Sequence, residues 1–183
     1  MRNIMLDLET LDVIPSGVIL SIGAVEFSDT DLGKEFHERI DIDSCLRLGM
    51  TVSGKTIQWW MGQDEKAKKL FDTDGRRVDA VLHDLVAAFE WKDTLVWANG
   101  GSFDIPMLEN AFRTTGIEIP WGYNATRDYR TFKGEFSNEV YSRYKVLPMV
   151  AHDALDDARA QALTLQRLRQ WRDILSNYTR TAI

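Results

Sequence analysis

The strongest constraint on the fold is a pair of apolar segments close to the start of the chain. Residues 3–8 are apolar but too few for a helix, so they predict a buried strand that ends in carboxylates. Residues 18–27 are rich in Val and Ile and almost continuously apolar, as interior strands are. A turn at residues 15–17 separates the two, and a third strand is predicted over residues 35–40. Together these segments indicate an antiparallel meander that opens a sheet.

Beyond residue 53 the pattern changes to helices with one further strand. Short helices are predicted over residues 53–63 and 64–71, and apolar residues over 78–89 have helical spacing. A strand over 94–98 is followed by a helix over 103–115 that stops at Gly116. An amphipathic helix is predicted from residue 153 to about residue 175. We expect one α/β domain over residues 1–183, with a central mixed sheet flanked by helices.

The net charge of -6 does not exclude nucleic acid as a partner. Proteins that bind a phosphate backbone usually carry a basic surface, and residues 127–145 offer only a weak one. This segment contains five basic residues and three acidic ones: Arg127, Arg130, Lys133, Arg143 and Lys145 against Asp128, Glu135 and Glu139. Divalent cations held by clustered carboxylates would reverse the local field, so an acidic chain is compatible with phosphate substrates.

Cysteine content and hydropathy bear on the compartment. Cys45 is the only cysteine, so an intrachain disulfide and a cysteine-based zinc site are both excluded. The first residues lack the apolar stretch of a signal peptide, and no window approaches the roughly 20 apolar residues of a membrane span. We expect a cytoplasmic protein without a membrane partner.

Asp7 and Glu9 stand two residues apart at the end of the first predicted strand. Side chains alternate between the faces of a strand, so both carboxylates point to one side. Such a pair can simply begin a loop. The two charges would repel each other, however, and hard divalent cations with oxygen ligands are the usual relief.

Asp104 follows a Gly-Gly turn between the fourth strand and a helix. Its position near the helix N-terminus has two interpretations. Ser102 or Asp104 could be a helix cap or a first-turn acid favoured by the helix dipole, or Asp104 could belong to a site that the glycines leave open to a ligand.

The segment His152-Asp153-Ala154-Leu155-Asp156-Asp157 opens the last helix. Asp153 is a candidate N-cap, and Asp156 lies where first-turn acids are favourable. His152 would lie in the preceding loop, which suits a general base with a pKa near neutrality.

Taken together, the Asp-x-Glu pair, the distant Phe-Asp after a glycine turn and the His-x4-Asp spacing resemble the DEDDh exonucleases. That family includes the proofreading subunit of bacterial DNA polymerase III and oligoribonuclease, and the chain is most similar to its small bacterial and phage members. The resemblance implies a ribonuclease H-like fold whose first three strands are antiparallel. It also implies the catalytic set Asp7, Glu9, Asp104, His152 and Asp157.

The same resemblance implies a 3′ to 5′ exonuclease that releases nucleoside 5′-monophosphates from single-stranded RNA or DNA ends. Two Mg²⁺ or Mn²⁺ ions would be held by Asp7, Glu9, Asp104 and Asp157, with Asp7 between them. His152 would take the proton from the attacking water. Related small exonucleases are often dimers, so a homodimer is one possible state; Trp121 and Trp171 could serve its interface or could both be buried.

Five residues are candidates for substrate binding, and each has a structural alternative. Thr10 and Leu11 resemble positions that meet the terminal nucleotide, and Asn99 and Phe103 could line the same pocket; Leu11 and Phe103 could equally be core residues, and Asn99 a turn residue. Trp60 and its neighbour Trp59 could both be core residues; adjacent residues cannot share one helix face, however, so one of them could stack on a base.

Three other functions are compatible with parts of the pattern. A phosphohydrolase that acts on small phosphoesters or nucleotides would use the same cations. A non-catalytic nucleic-acid-binding module would keep the fold, although phosphate binding gains nothing from four converging carboxylates. If the acids were only caps and surface charges, Asp7, Asp104 and Asp157 would be scattered in space.

Overall fold

A computed structural model describes residues 2–72 and 75–181, and their side chains up to residue 176. Within these residues five strands form one sheet: β1 (Arg2–Thr10), β2 (Ile19–Phe27), β3 (Leu32–Arg39), β4 (Thr94–Ala98) and β5 (Thr126–Asp128). Their order is β3-β2-β1-β4-β5. β1, β2 and β3 pair antiparallel, whereas β4 pairs parallel with both β1 and β5. The predicted meander and mixed sheet are confirmed.

The helices connect and cover this sheet. They are α1 (Ile42–Leu46), α2 (Gly54–Met61), α3 (Glu65–Lys68), α4 (Val78–Ala88), α5 (Asp104–Thr115), α6 (Tyr129–Gly134), α7 (Asn138–Tyr144) and α8 (Ala154–Thr181). The side chain of Ser53 caps α2, and that of Asp64 caps α3. Gly116 ends α5 in the left-handed conformation at φ 73°, where glycine has no steric penalty. The segment predicted as one helix over 64–71 is α3 followed by a 3₁₀ turn.

Each face of the sheet is covered by its own set of helices, and β1 contributes to both apolar clusters. Ile4 and Leu6 pack in one cluster with buried residues of α4 and α5. Met5 lies in the other cluster with Leu165 and other residues of α8. Because side chains alternate along a strand, Asp7 and Glu9 share the face of Met5 and are turned toward α8. Among the described residues, no helix combines the length and apolar character needed to cross a membrane.

The structure differs from the sequence-based expectation in two places. β1 continues two residues beyond the predicted strand, so Glu9 lies within the strand rather than after it. β5, α6 and α7 were not predicted, because β5 has only three residues and no apolar pattern. Trp121 is 6% exposed and packs against Phe112, so of its two predicted roles, interface or core, its indole has the core one.

Gly23 allows α8 to approach the sheet beside the predicted active site. It lies on β2 opposite Asp7 of β1. A Cβ atom at this position would clash with the backbone carbonyl group of Ala154, the first residue of α8. The missing side chain therefore lets the first turn of α8, which carries Asp157, rest directly on the sheet next to Asp7.

We expect the Gly23→Ala substitution to push the start of α8 away from the sheet. Because rigid backbone would have to move, the free energy of unfolding should fall by about 2 kcal/mol, as urea titration would measure. Gly134→Ala is the matched control, since a Cβ atom there meets no atom within 4 Å. Equal stability of the two variants would contradict the close-approach explanation.

Candidate active site

Four acidic side chains converge where β1 and β4 end and α8 begins. Asp7 and Glu9 project from β1 toward α8, and Glu9 is only 7% exposed. Asp157 comes from the first turn of α8, and Asp104 from the first residue of α5. These positions belong to three rigid elements, so the structure brings together the acids that sequence analysis placed far apart.

Asp104 is held against β1 by a backbone hydrogen bond. Its Oδ1 accepts from the N–H of Leu8 at 3.2 Å, and the side chain is 4% exposed. The helix-cap position of α5 is occupied by Phe103, whose side chain makes no capping bond. Asp104 therefore connects α5 to the strand that carries Asp7 and Glu9. An acid that only stabilised the helix dipole would not make this contact with β1.

His152 and Asp157 are coupled through the backbone. The N–H of His152 donates to Oδ2 of Asp157 at 3.0 Å, and His152 adopts the positive φ of 62° that is uncommon for non-glycine residues. Glu9, His152 and Asp157 each offer a ligand atom, and these atoms lie within 4.8 Å of one another. Carboxylate oxygens and one imidazole nitrogen form a donor set that suits a divalent cation.

The other two acids of the α8 segment have structural tasks. Oδ1 of Asp153 accepts hydrogen bonds from the N–H groups of Leu155 and Asp156, as an N-cap does. Asp156 accepts from the N–H of Val150 and forms an ion pair with Arg159. Neither carboxylate is needed to explain the acidic cluster.

Burial raises the pKa values of all four carboxyl groups, and the charges of neighbouring cluster acids add to this for Asp7 and Glu9. Burial raises the pKa of Glu9 to about 8, and the charges of Asp157 and Asp104 add to the effect. Burial likewise raises the pKa of Asp104 to about 7, although the Leu8 N–H opposes this. The pKa of Asp7 lies well above its usual value because of burial and the neighbouring acids, and that of Asp157 is raised by burial.

No lysine or arginine of the described residues forms an ion pair with any of these four carboxylates. Arg130 favours the ionised form of Asp104 from a distance, but no direct ion pair and no full exposure to water balances the charge of the cluster. A hard divalent cation would supply that balance, and the residues present fit one.

Gln161 is a site residue that sequence analysis missed. Its Nε2 donates to Oδ1 of Asp7 at 2.8 Å, which fixes the orientation of that carboxylate. Its Oε1 is buried without a hydrogen-bond partner among the described residues. The signal available in the sequence was its spacing of four from Asp157, which places both on one face of α8.

An apolar cavity of about 490 Å³ lies beside the acids, between β1 and α2. Trp59, Phe103 and Val13 line it together with Glu9. Trp59 is 47% exposed, and its ring meets that of His152 edge to face at a centroid distance of 4.9 Å. The cavity therefore has Glu9 on one wall and, on another, the Trp59 ring that contacts His152.

The predicted substrate-binding residues occupy different environments. Trp60 lines the same cavity but is 3% exposed, and its Nε1 donates to the carbonyl oxygen of Thr10 at 2.9 Å. Leu11 is 6% exposed and belongs to the core cluster. The hydroxyl of Thr10 donates to the Asp12 carbonyl oxygen, so towards a nucleotide it is left with its acceptor lone pairs.

Asn99 and Phe103 flank the Gly-Gly turn before α5. Asn99 accepts hydrogen bonds from Arg130 through its carbonyl oxygen and from Lys133 through its side chain. Phe103 is half-buried and lines the apolar cavity. Of the five predicted substrate contacts, Phe103, Thr10 and Trp60 therefore border the cavity, whereas Leu11 and Asn99 do not line it.

Comparison with known proteins gives a family and a set of similar folds. A family model described as the Rv2179c-like 3′–5′ exoribonuclease domain matches residues 2–168. No curated protein sequence matches the chain significantly. The nuclease domain of 3′hExo, a DEDDh family member bound to rAMP, aligns with a TM-score of 0.61 at 13% identity and covers 92% of each chain.

Two larger nucleases share the same fold. Cell-death related nuclease 4 aligns with a TM-score of 0.64 at 15% identity, over 93% of this chain and 64% of the other. Exonuclease I of E. coli, in complex with an oligonucleotide, aligns with a TM-score of 0.64 at 13% identity, over 98% of this chain and 43% of the other. The chain thus spans less than two thirds of either nuclease, and the likeness confirms the predicted ribonuclease H-like fold.

The raised pKa of Glu9 predicts how stability depends on pH when metal is withheld. The unfolded carboxyl loses its proton near its usual pKa of 4.5, whereas the folded one keeps it up to about pH 8. The free energy of unfolding should therefore fall as pH rises from about 5 to about 8, since the folded state binds more protons than the unfolded state in this range. Urea titrations in chelator at several pH values measure this slope.

The Glu9→Gln variant should reduce that pH dependence and raise the metal-free stability by about 2 kcal/mol at about pH 8. Glu139→Gln, which changes an exposed acid of α7, is the matched control and should leave the slope unchanged. Mg²⁺ or Mn²⁺ should stabilise the wild-type protein most at the higher pH. Metal-free stability that rises between about pH 5 and 8 would refute the assignment of a repelling acidic cluster.

Proposed function

Because the chain belongs to the family of Rv2179c-like 3′–5′ exoribonuclease domains and is a 3′–5′ exonuclease, we propose that its substrate is single-stranded RNA. It releases nucleoside 5′-monophosphates one at a time from the 3′ end. The family description and the rAMP bound to the similar 3′hExo nuclease domain support RNA over DNA. The observation that carries the proposal is the convergence of four acids and His152 beside an apolar cavity.

The acids are proposed to hold two divalent cations, Mg²⁺ or Mn²⁺. Asp7 would contribute a ligand to both, Glu9 and Asp157 would complete the ligands of one, and Asp104 would serve the other. When bound, such cations polarise the scissile phosphate, activate water and neutralise the leaving 3′ oxygen. Gln161 keeps Asp7 turned toward the cluster, because it occupies one of that carboxylate's oxygens.

His152 is proposed as the general base. Its backbone is fixed by Asp157 and its ring rests against Trp59, so the imidazole is positioned beside the acids while it remains half-buried. It takes one proton from the attacking water, the P–O3′ bond breaks, and the leaving 3′ oxygen is protonated. One water is consumed for each nucleoside 5′-monophosphate released.

The apolar cavity is proposed to receive the 3′-terminal base. Its aromatic wall is Trp59 rather than Trp60, because Trp59 presents far more surface, whereas Trp60 is buried and supports the Thr10 backbone. Stacking on an aromatic face accepts every base, as a non-specific exonuclease requires. Phe103 on the opposite element completes the pocket.

Two alternatives are less well supported. A binding module without catalysis would keep four repelling carboxylates at a cost in stability and gain no affinity for phosphate. A phosphohydrolase for phosphoesters without a base would leave the aromatic cavity of about 490 Å³ without a ligand, and one for nucleotides would hydrolyse mononucleotides but would not shorten RNA. A homodimer stays a prediction, to be tested by light scattering.

We expect the purified protein to shorten a 5′-labelled single-stranded RNA stepwise with Mg²⁺ or Mn²⁺, and to act more slowly on DNA of the same sequence. A 3′-phosphate block should stop the reaction. Asp7→Ala and His152→Ala should each lower kcat by about 100-fold or more, because a cation ligand or the general base is lost. Asp156→Ala, which removes a structural acid, should retain activity whenever the variant folds.

Retained activity in Asp7→Ala would refute its assignment as a cation ligand. Products that shorten from the 5′ end, or a single internal cut, would refute the proposed direction.

The exposed tryptophan gives a separate prediction. Trp59→Ala should raise KM for RNA by about tenfold, since base stacking is worth about 1–3 kcal/mol, and Trp59→Phe should restore most of the loss. Met61→Ala, at an exposed neighbour on α2, is the control. An unchanged KM in Trp59→Ala would remove the base-stacking role.

A further inference from the structure

Three cations lie together at the end of the sheet where β4 and β5 finish. Arg130 and Lys133 come from α6, and Lys145 follows α7. Nζ of Lys133 lies 5.2 Å from the centre of the Tyr129 ring and 5.6 Å from that of Tyr141, and Nζ of Lys145 lies 6.0 Å from the Tyr141 ring. We call Arg130, Lys133 and Lys145 the cation cluster.

The cation cluster carries more positive charge than its surroundings balance. Among the described residues none of its members forms an ion pair with a carboxylate, and the side chains of Arg130 and Lys133 instead donate to Asn99. Partial burial, Arg130 and Lys145 lower the pKa of Lys133, and the charge of Asp128 opposes this. A group of like charges held close together in this way is suited to an anion.

The neighbouring acids are largely engaged elsewhere. Asp128 accepts hydrogen bonds from the N–H groups of Gly101 and Thr131, at 2.7 and 2.8 Å. Glu135 forms an ion pair with Arg172. Asp128 therefore reduces the positive charge near Arg130 without pairing with it.

The cation cluster and the acids lie at the same edge of the sheet. β1, β4 and β5 run parallel, so their carboxyl ends lie at one edge of the sheet. The acids of β1 and α5 occupy the β1 and β4 end of this edge, and the cation cluster follows β5. Arg130 is close enough to lower the pKa of Asp104, while the apolar cavity is lined by Glu9 of β1 and by residues of α2.

We propose that the cation cluster binds an internucleotide phosphate of the substrate, upstream of the bond that is cut. The inference rests on the proposed function and specifies its substrate class as a polymer. With the terminal base in the apolar cavity and the scissile phosphate at the acids, the chain leaves across Asp104 toward the cluster. Gly100, at φ 127°, has no side chain and lets the Arg130 guanidinium lie against this path.

The test is equilibrium binding of a 5′-fluorescein single-stranded RNA, measured by fluorescence anisotropy over a series of salt concentrations. Divalent cations are left out so that the RNA is not cleaved. The variants are Lys133→Gln, Lys145→Gln and the double variant. Lys34→Gln, an exposed lysine of β3, is the matched control for loss of one charge. A nucleoside 5′-monophosphate, which has no upstream phosphate, is measured as a competitor.

We expect Lys145→Gln and the double variant to weaken RNA binding by about threefold and about tenfold. Each lost contact should also lower the slope of log affinity against log salt by about 0.7, the value for single strands. Lys34→Gln should leave both quantities unchanged, and the dissociation constant of the mononucleotide should stay at its wild-type value. Among the described residues Lys133, not Lys145, donates to the side chain of Asn99. Lys145→Gln therefore tests phosphate binding without removing a hydrogen bond that supports the turn before α5.

Unchanged affinity and salt slope in Lys145→Gln and the double variant would overturn the inference. Weaker binding in Lys133→Gln that the double variant merely equals, with Lys145→Gln unchanged, would also overturn it, because Lys133 would then only brace the Asn99 turn. If the wild-type protein digests RNA and these variants bind RNA with unchanged affinity, the phosphate subsite is refuted and the proposed function stands. Wild-type protein that neither binds nor shortens RNA refutes both.

Discussion

Repulsion among Asp7, Glu9, Asp104 and Asp157 is the constraint on which the rest of the structure depends. The pKa values of all four are raised because the carboxyl groups are shielded from water, and for Asp7 and Glu9 the charges of the other acids add to this effect. Three rigid elements carry them, so none can turn away without disrupting a strand or a helix. The fold thus holds the acids in an unfavourable arrangement that a divalent cation relieves, and cation binding and folding are linked.

Several features far from the chemistry maintain this arrangement. Gly23 allows the first turn of α8 to rest on the sheet, and Asp153 caps that turn. The N–H of Leu8 holds Asp104, and Gln161 holds Asp7. The same geometry divides the carboxyl edge of the sheet into an apolar side at α2 and a cationic side at α6, which gives the site a direction.

The sequence predicted more of the strands than of the surface around the site. β1 and β2 were predictable because their apolar runs are continuous and a turn separates them. β5 and α6 were not, since short elements at an edge leave no periodic pattern. Their omission mattered, because α6 carries Arg130 and Lys133, which sequence analysis described only as part of a weak basic region.

The sequence by itself determined the shared face of Asp7 and Glu9, the fold class and the family resemblance, because strand alternation and motif spacing are local properties. Only the tertiary structure decided which tryptophan is exposed, that Leu11 is a core residue, and that Gln161 contacts Asp7 across 154 positions. Burial and long-range contacts depend on how β1, α2 and α8 pack, and the periodicity of one element does not contain that information.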